Sequence, residues 1–118
     1  MRVAIIGQGY VGLTIAVDAA SAGHTVVGFD VNGELVKKLN VGQSHIEGIT
    51  NSHLGSLLES GSYSASSNPS TLEGCEVIVI AVPTPLDDQR NPDLSYVHAA
   101  ADLIPQHVQS PKLVVNES

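Results

Sequence analysis

Three glycines, Gly7, Gly9 and Gly12, stand between an apolar run, Arg2-Val3-Ala4-Ile5-Ile6, and a helix-like stretch from Leu13 to Ala20. A second apolar run, Thr25-Val26-Val27-Gly28-Phe29, ends on the acid Asp30. This order suits a ligand that carries both a pyrophosphate and a ribose. Gly7 permits a tight turn off the strand, Gly9 lets the backbone approach the pyrophosphate, and Gly12 allows the helix to pack close. The phosphates would lie at the helix N-terminus, where the first N–H groups have no intrahelical partner. Asp30 would accept hydrogen bonds from the adenosine ribose hydroxyls, and its charge would oppose a 2′-phosphate, which favours NAD over NADP. No arginine lies between Val31 and Val36 to reverse that preference, and Lys37 and Lys38 come a turn or more later. The bland readings are an empty turn and a solvated acid, because turn glycines recur by chance in a chain that has 11. The strand, glycine, helix, strand, acid order weighs against both.

A second group of candidates is Val82-Pro83-Thr84-Pro85, at the carboxyl end of the apolar run Val77 to Val82. Ligands of open α/β sheets bind at that end. A rigid proline turn there would hold its backbone against the cofactor, with the Thr84 hydroxyl free to bond. Two prolines also serve simply to end a strand. Cys75 precedes the same run, at the wrong end of the sheet for a nucleophile, and reads as a half-buried structural thiol. His24, His45, His53, His98 and His107 lack metal-ligand spacing, so no metal site is expected. The Asp87-Asp88-Gln89-Arg90 cluster reads as a solvated loop tip.

The elements that must position these residues follow from periodicity and breakers. Residues 2–6 read as a first strand buried on both faces, and 10–23 as its helix, with Gly23 as the stop. Residues 25–30 make a second strand. Asn32 caps a helix running to about Asn40, with Leu35, Val36 and Leu39 on one buried face. A polar loop from 41 to 52 leads to a short helix over 53–60. A weak strand follows over 63–66, then a turn or short helix over 69–74. Residues 76–82 form the strongest strand, expected at the sheet centre. Residues 94–108 read as a helix interrupted or ended near Pro105, and 112–116 as a last strand. The alternation implies an α/β, Rossmann-like doubly wound parallel sheet in a single domain, with strand order 3-2-1-4-5.

Composition narrows the function classes. The chain has 118 residues, 42% of them hydrophobic, which suits one domain with an ordinary core. Five basic residues against twelve acidic ones give a net charge of −7, with no basic patch to follow a nucleic acid backbone. The longest apolar run, Val77 to Val82, is far below the roughly 18 residues of a membrane span. One cysteine excludes an intrachain disulfide, and a cytoplasmic protein is expected.

Together these residues resemble the nucleotide-sugar 6-dehydrogenases, the family of UDP-glucose, UDP-N-acetylglucosamine, UDP-N-acetylmannosamine and GDP-mannose dehydrogenases. The resemblance spans the whole chain. It rests on Gly7-Gln8-Gly9-Tyr10-Val11-Gly12-Leu13, Phe29-Asp30-Val31-Asn32, Ala81-Val82-Pro83-Thr84-Pro85-Leu86, Asn91-Pro92-Asp93-Leu94-Ser95-Tyr96-Val97 and Asn116-Glu117-Ser118. Tyr-Val-Gly in the glycine loop and the Val-Pro-Thr-Pro turn are more specific than the glycines alone. The resemblance implies NAD as cofactor, held by Gly7 through Gly12 at the pyrophosphate and by Asp30 at the ribose. It further implies Val82 through Pro85 on the nicotinamide side, with Glu117 and Ser118 also in contact.

Two departures carry implications. Leu35 stands where some members place an Arg or Lys near the adenosine, which implies weaker cofactor affinity. Ile46-Glu47-Gly48-Ile49 and the Asp87–Pro92 loop look more like the branch acting on N-acetylated UDP-hexosamines. In the family a sugar C6 alcohol is oxidised twice, with two hydrides passed to NAD and an enzyme thioester between the steps. The nucleophilic cysteine and its lysine partner lie beyond this chain's extent, and Cys75 does not match their motif. These residues therefore read as the N-terminal NAD-binding domain, 1–118, of a longer, homo-oligomeric enzyme. The domain should bind cofactor, carry no catalytic residue of its own, and leave the UDP-sugar to the full-length parent. The alternatives are the cofactor domain of a 3-hydroxyacid or 6-phosphogluconate type dehydrogenase, and a non-enzymatic nucleotide-sensing module.

Overall fold

Five parallel strands form one sheet in the order β3-β2-β1-β4-β5: β1 Arg2–Ile6, β2 Thr25–Phe29, β3 Tyr63–Ser66, β4 Val77–Ile80 and β5 Leu113–Asn116. The computed structural model describes residues 1–109 and 111–117. Helices α1 Tyr10–Ser21, α2 Gly33–Asn40, α3 Asn51–Glu59 and α4 Ser95–His107 connect the strands, with a 3-10 turn at Pro69–Leu72. No helix among the described residues is long and apolar enough to cross a membrane.

The inner strands β1, β2 and β4 are covered on both faces, which is why they are apolar in succession, whereas the edge strand β3 alternates and β5 is largely exposed. Val3 and Ile5 of β1 face a core with Leu13, Val17, Leu39, Leu54 and Tyr63. Ala4 and Ile6 point the other way, toward Phe29, Leu72, Ile78, Ala100 and Val108. Ile5, Leu13, Leu54 and Ile78 are fully buried, and each such side chain contributes roughly 1.5–3 kcal/mol.

Helix ends follow their local chemistry. Asn32 Oδ1 accepts from Leu35 N to start α2, and Thr50 Oγ1 accepts from His53 N to start α3. Gly23, at φ 103, ends α1 with paired bonds from Gly23 N to Ala20 O and from His24 N to Ala19 O. The same glycine-terminated arrangement closes α2 and α3.

Several expectations shift. The strongest apolar run is not at the centre: β1 is, because β5 pairs on the outer side of β4. Strand β4 stops at Ile80, so Ala81 and Val82 already belong to the loop. Helix α4 passes through Pro105 and continues to His107, with Val108 N still bonded to Ile104 O at 2.7 Å. Proline removes one N–H in the last turn, where the helix has few bonds left to lose. The Asp87–Arg90 tip is exposed but built: Asp87 N donates to Asn91 O, and Asp87 Oδ1 accepts from Gln89 N and Asn91 N. Leu86 and Pro92 bridge at its base.

Candidate functional site

At the carboxyl end of the sheet a cleft of about 580 Å³ opens between the β1–α1 turn, the β2–α2 turn, the β4–α4 loop and α4. Gly7, Gly9, Tyr10 and Val11 supply one wall, and Asp30, Val31 and Leu35 a second. Val82, Pro83 and Thr84 face them, and Tyr96, Ala100 and Leu103 of α4 close the far side. Glu117, whose N–H donates to Ile80 O at 2.8 Å, stands at the margin.

Each glycine of the turn has a different physical role. Gly7 has φ 97, and a side chain there would come within 2.7 Å of Ala81 O and 3.0 Å of Val82 N. The turn therefore lies directly on the end of β4. A Cβ at Gly12 would strike the Gly7 carbonyl oxygen and lie 2.7 Å from its carbon. Gly12 is thus required by the turn itself more than by the sheet. Gly9 has an ordinary φ of −72, and a Cβ there would meet nothing within 4 Å. Its missing side chain leaves open space at the mouth of α1, the space that a pyrophosphate would occupy.

Helix α1 is uncapped there, unlike α2 and α3. No side chain caps it, no acid sits in its first turn, and its first intrahelical bond runs from Leu13 N to Gly9 O at 3.1 Å. The preceding N–H groups are available to an anion. The residues around the cleft include Asp30 and Glu117 but no Lys or Arg. A phosphate at this place would meet backbone N–H groups and the positive end of the α1 dipole, and no cationic side chain of the described residues.

Asp30 is fixed by backbone donors. Gln8 N donates to Oδ2 at 2.7 Å and Asn32 N to Oδ1 at 2.9 Å. Each carboxylate oxygen accepts one backbone bond and keeps lone-pair capacity for further donors, such as two vicinal ribose hydroxyls. Of the other expected residues, Thr84 is exposed at the rim, while Pro85 lies off the lining and accepts from Asp93 N at 2.7 Å. Gln8 and Gly12 are buried behind the turn. Ser118 lies outside the described residues. Tyr96, Ala100 and Leu103 were not read from the sequence as lining, although an aromatic and small residues at helical spacing after the proline turn could have pointed to them.

Cys75 is at the opposite end of the molecule, beside a second cleft with Glu73, Glu76, Gln106 and His107. It is buried, with Sγ 3.9 Å from Thr71 O, and burial pushes its thiol pKa up. A protonated thiol remote from the glycine turn is not a nucleophile for a ligand there. Among the described residues no three His, Cys, Asp or Glu side chains group to hold a metal.

The sequence profile of the UDP-glucose/GDP-mannose dehydrogenase family, NAD binding domain, matches residues 1–118. The chain belongs to that family. Its sequence is 38% identical to the UDP-N-acetyl-D-mannosamine dehydrogenase of Pyrococcus horikoshii, over 100% of this chain and 28% of the relative. The solved structure of that enzyme superposes with a TM-score of 0.94. The UDP-N-acetyl-D-glucosamine 6-dehydrogenase of Pseudomonas aeruginosa is 34% identical over 100% of this chain and 27% of its own length. A ternary complex of GDP-mannose dehydrogenase from Pseudomonas aeruginosa gives a TM-score of 0.83 at 30% identity, over 88% of this chain and 24% of that one. The chain thus spans about a quarter of these dehydrogenases, and it corresponds to the NAD-binding domain of the family. The open cradle at Gly9, the uncapped α1 and the anchored Asp30 fit that cofactor.

Proposed function

We propose that this chain is the cofactor-holding part of an NAD-dependent nucleotide-sugar dehydrogenase. The parent would oxidise the C6 alcohol of a UDP-sugar to a carboxylate with two equivalents of NAD. An N-acetylated UDP-hexosamine is the favoured substrate, in keeping with the UDP-N-acetyl-D-mannosamine and UDP-N-acetyl-D-glucosamine enzymes named above and with the Ile46–Ile49 and Asp87–Pro92 segments. Bound in the cleft, NAD supplies the hydride acceptor.

The residues divide the work of holding it. Gly9, Tyr10, Val11 and the N-terminus of α1 take the pyrophosphate, with Gly7 and Gly12 shaping the turn and Gln8 supporting it from behind. Asp30 takes the adenosine ribose and disfavours a 2′-phosphate. Val82, Pro83 and Thr84, continued by Pro85, form the facing wall on the nicotinamide side, with Glu117 and Ser118 beside them. Tyr96, Ala100 and Leu103 exclude water from the far side.

The observation that carries this reading is the void at Gly9 directly in front of the open N-terminus of α1. Calorimetric titration with NAD and NADP tests it. Binding of NAD, tighter than NADP, is expected, and equal or tighter NADP binding removes Asp30 from the ribose.

A further inference from the structure

Gln8 is the one polar or charged residue buried among the described residues, with no exposed surface. It lies between two glycines of the turn, where an apolar side chain would fill the same volume at no desolvation cost. Instead its amide is satisfied on every side. Nε2 donates to Gly7 O at 2.9 Å and to Ile5 O at 3.2 Å, and Oε1 accepts from the Tyr63 hydroxyl at 2.7 Å. Space for this comes from β2: a Cβ at Gly28 would strike Gln8 Oε1 and lie 2.7 Å from the Tyr63 hydroxyl. The main chain of the same residue donates to Asp30 Oδ2 at 2.7 Å.

We propose that the Gln8–Tyr63 bridge is the positioning unit of this site, holding the glycine turn and Asp30 together in the arrangement that receives NAD. The proposal rests on the cleft being the NAD site. The Gln8 side chain ties the turn to β3 across the gap at Gly28. Its peptide N–H meanwhile sets the direction of the Asp30 carboxylate, so a shift of residue 8 moves both cofactor contacts together. Burial, with the Asp30 charge added, pushes the Tyr63 phenol well above the usual tyrosine range. The hydroxyl therefore remains a donor at every working pH. An unpaired Gln8 Oε1 would be costly in so dry a place, and the amide would turn away, loosening its hold on the Gly7 carbonyl.

Tyr63→Phe removes one oxygen and tests this directly by calorimetry with NAD and NADP, alongside thermal melting. The expected result is NAD affinity weakened roughly three- to tenfold, the scale of one buried hydrogen bond. The preference for NAD over NADP should narrow as Asp30 loses its fixed direction. Val108→Ala, which cuts into the core at the opposite end of the sheet, should lower the melting temperature and leave both affinities unchanged. If Tyr63→Phe behaves like Val108→Ala, the bridge is structural only and the proposal is overturned. Should Tyr63→Phe fail to fold, Gln8→Leu combined with Tyr63→Phe removes both buried polar groups and relieves the unpaired oxygen. That double variant should fold and still bind NAD weakly, whereas wild-type affinity and discrimination in it would overturn the positioning role. Absence of NAD binding by the unsubstituted chain would instead reject the cleft as the cofactor site, and this proposal with it.

Discussion

In the proposed site Asp30 and Gly9 would serve the cofactor in opposite ways, one by a charge that is present and the other by a side chain that is absent. Asp30→Ala should weaken NAD by about tenfold or more, the scale of a hydrogen bond to a charged group, and should weaken NADP much less. Titration of both nucleotides checks this, and an unchanged NADP to NAD ratio would take the ribose away from Asp30. Gly9→Val should abolish NAD binding at an almost unchanged melting temperature, since residue 9 has an ordinary φ and open space before it. Gly12→Ala should unfold the domain, because the added carbon meets the Gly7 carbonyl. Sequence spacing was enough to single out these glycines and Asp30, since turn chemistry and the acid's distance along the chain are local. Gln8, Gly28 and Tyr63 were not legible as a unit. Tyr63 is 55 residues from Gln8, and nothing local distinguishes a tyrosine that donates to a buried amide from one that only fills a core.

Elements were read well where their ends are chemically marked and less well where packing sets them. Asn32 caps α2 and Gly23 stops α1 where the breakers predicted, while Thr50 starts α3 at Asn51, two residues before the expected 53. The apolar run at 77–82 gave a strand and by its strength alone suggested a central place, whereas the doubly wound order 3-2-1-4-5 already sets β5 outside β4 and leaves β1 central. Helix α4 matters for the site because Tyr96, Ala100 and Leu103 wall the cleft, so its start deserves a test. Asp93 Oδ1 accepts from Ser95 N at 3.0 Å, and bonds from Ser95 hold the Asp93 carboxyl below its usual pKa. A carboxylate with a depressed folded-state pKa stabilises above its unfolded value and loses that contribution as pH falls through the folded value. Asp93→Ala should therefore lower the melting temperature at neutral pH, with the difference from wild type fading as pH drops below the ordinary aspartate range near 3.8. Melting curves from pH 7 downward measure it. A difference that stays constant with pH would mean that Asp93 acts through shape and not through its charge.

Across the whole molecule the two ends of the sheet are chemically unlike. The carboxyl end has the glycine turn, the anchored acid and the proline wall. The amino end has Cys75, protonated and buried beside Glu76. Alternating strands and helices made the doubly wound architecture legible, and the rule that ligands bind at the carboxyl ends then placed the cleft. A covalent oxidation of an alcohol to a carboxylate needs a nucleophile within reach of the hydride acceptor, and no thiol or lysine lies among the residues around the cleft. The 118-residue chain, given NAD and a panel of UDP-glucose, UDP-N-acetylglucosamine and UDP-N-acetylmannosamine, should therefore form no reduced nicotinamide above background. The full-length parent should form two equivalents per sugar. Cys75→Ser should leave NAD binding unchanged, because the thiol lies at the far end of β4 from the cleft of the glycine turn. Absorbance of the reduced nicotinamide decides the matter. Steady turnover by these residues alone, lost in Cys75→Ser, would mean that the amino-end thiol reaches the reaction, and the division of labour between the two ends would have to be abandoned.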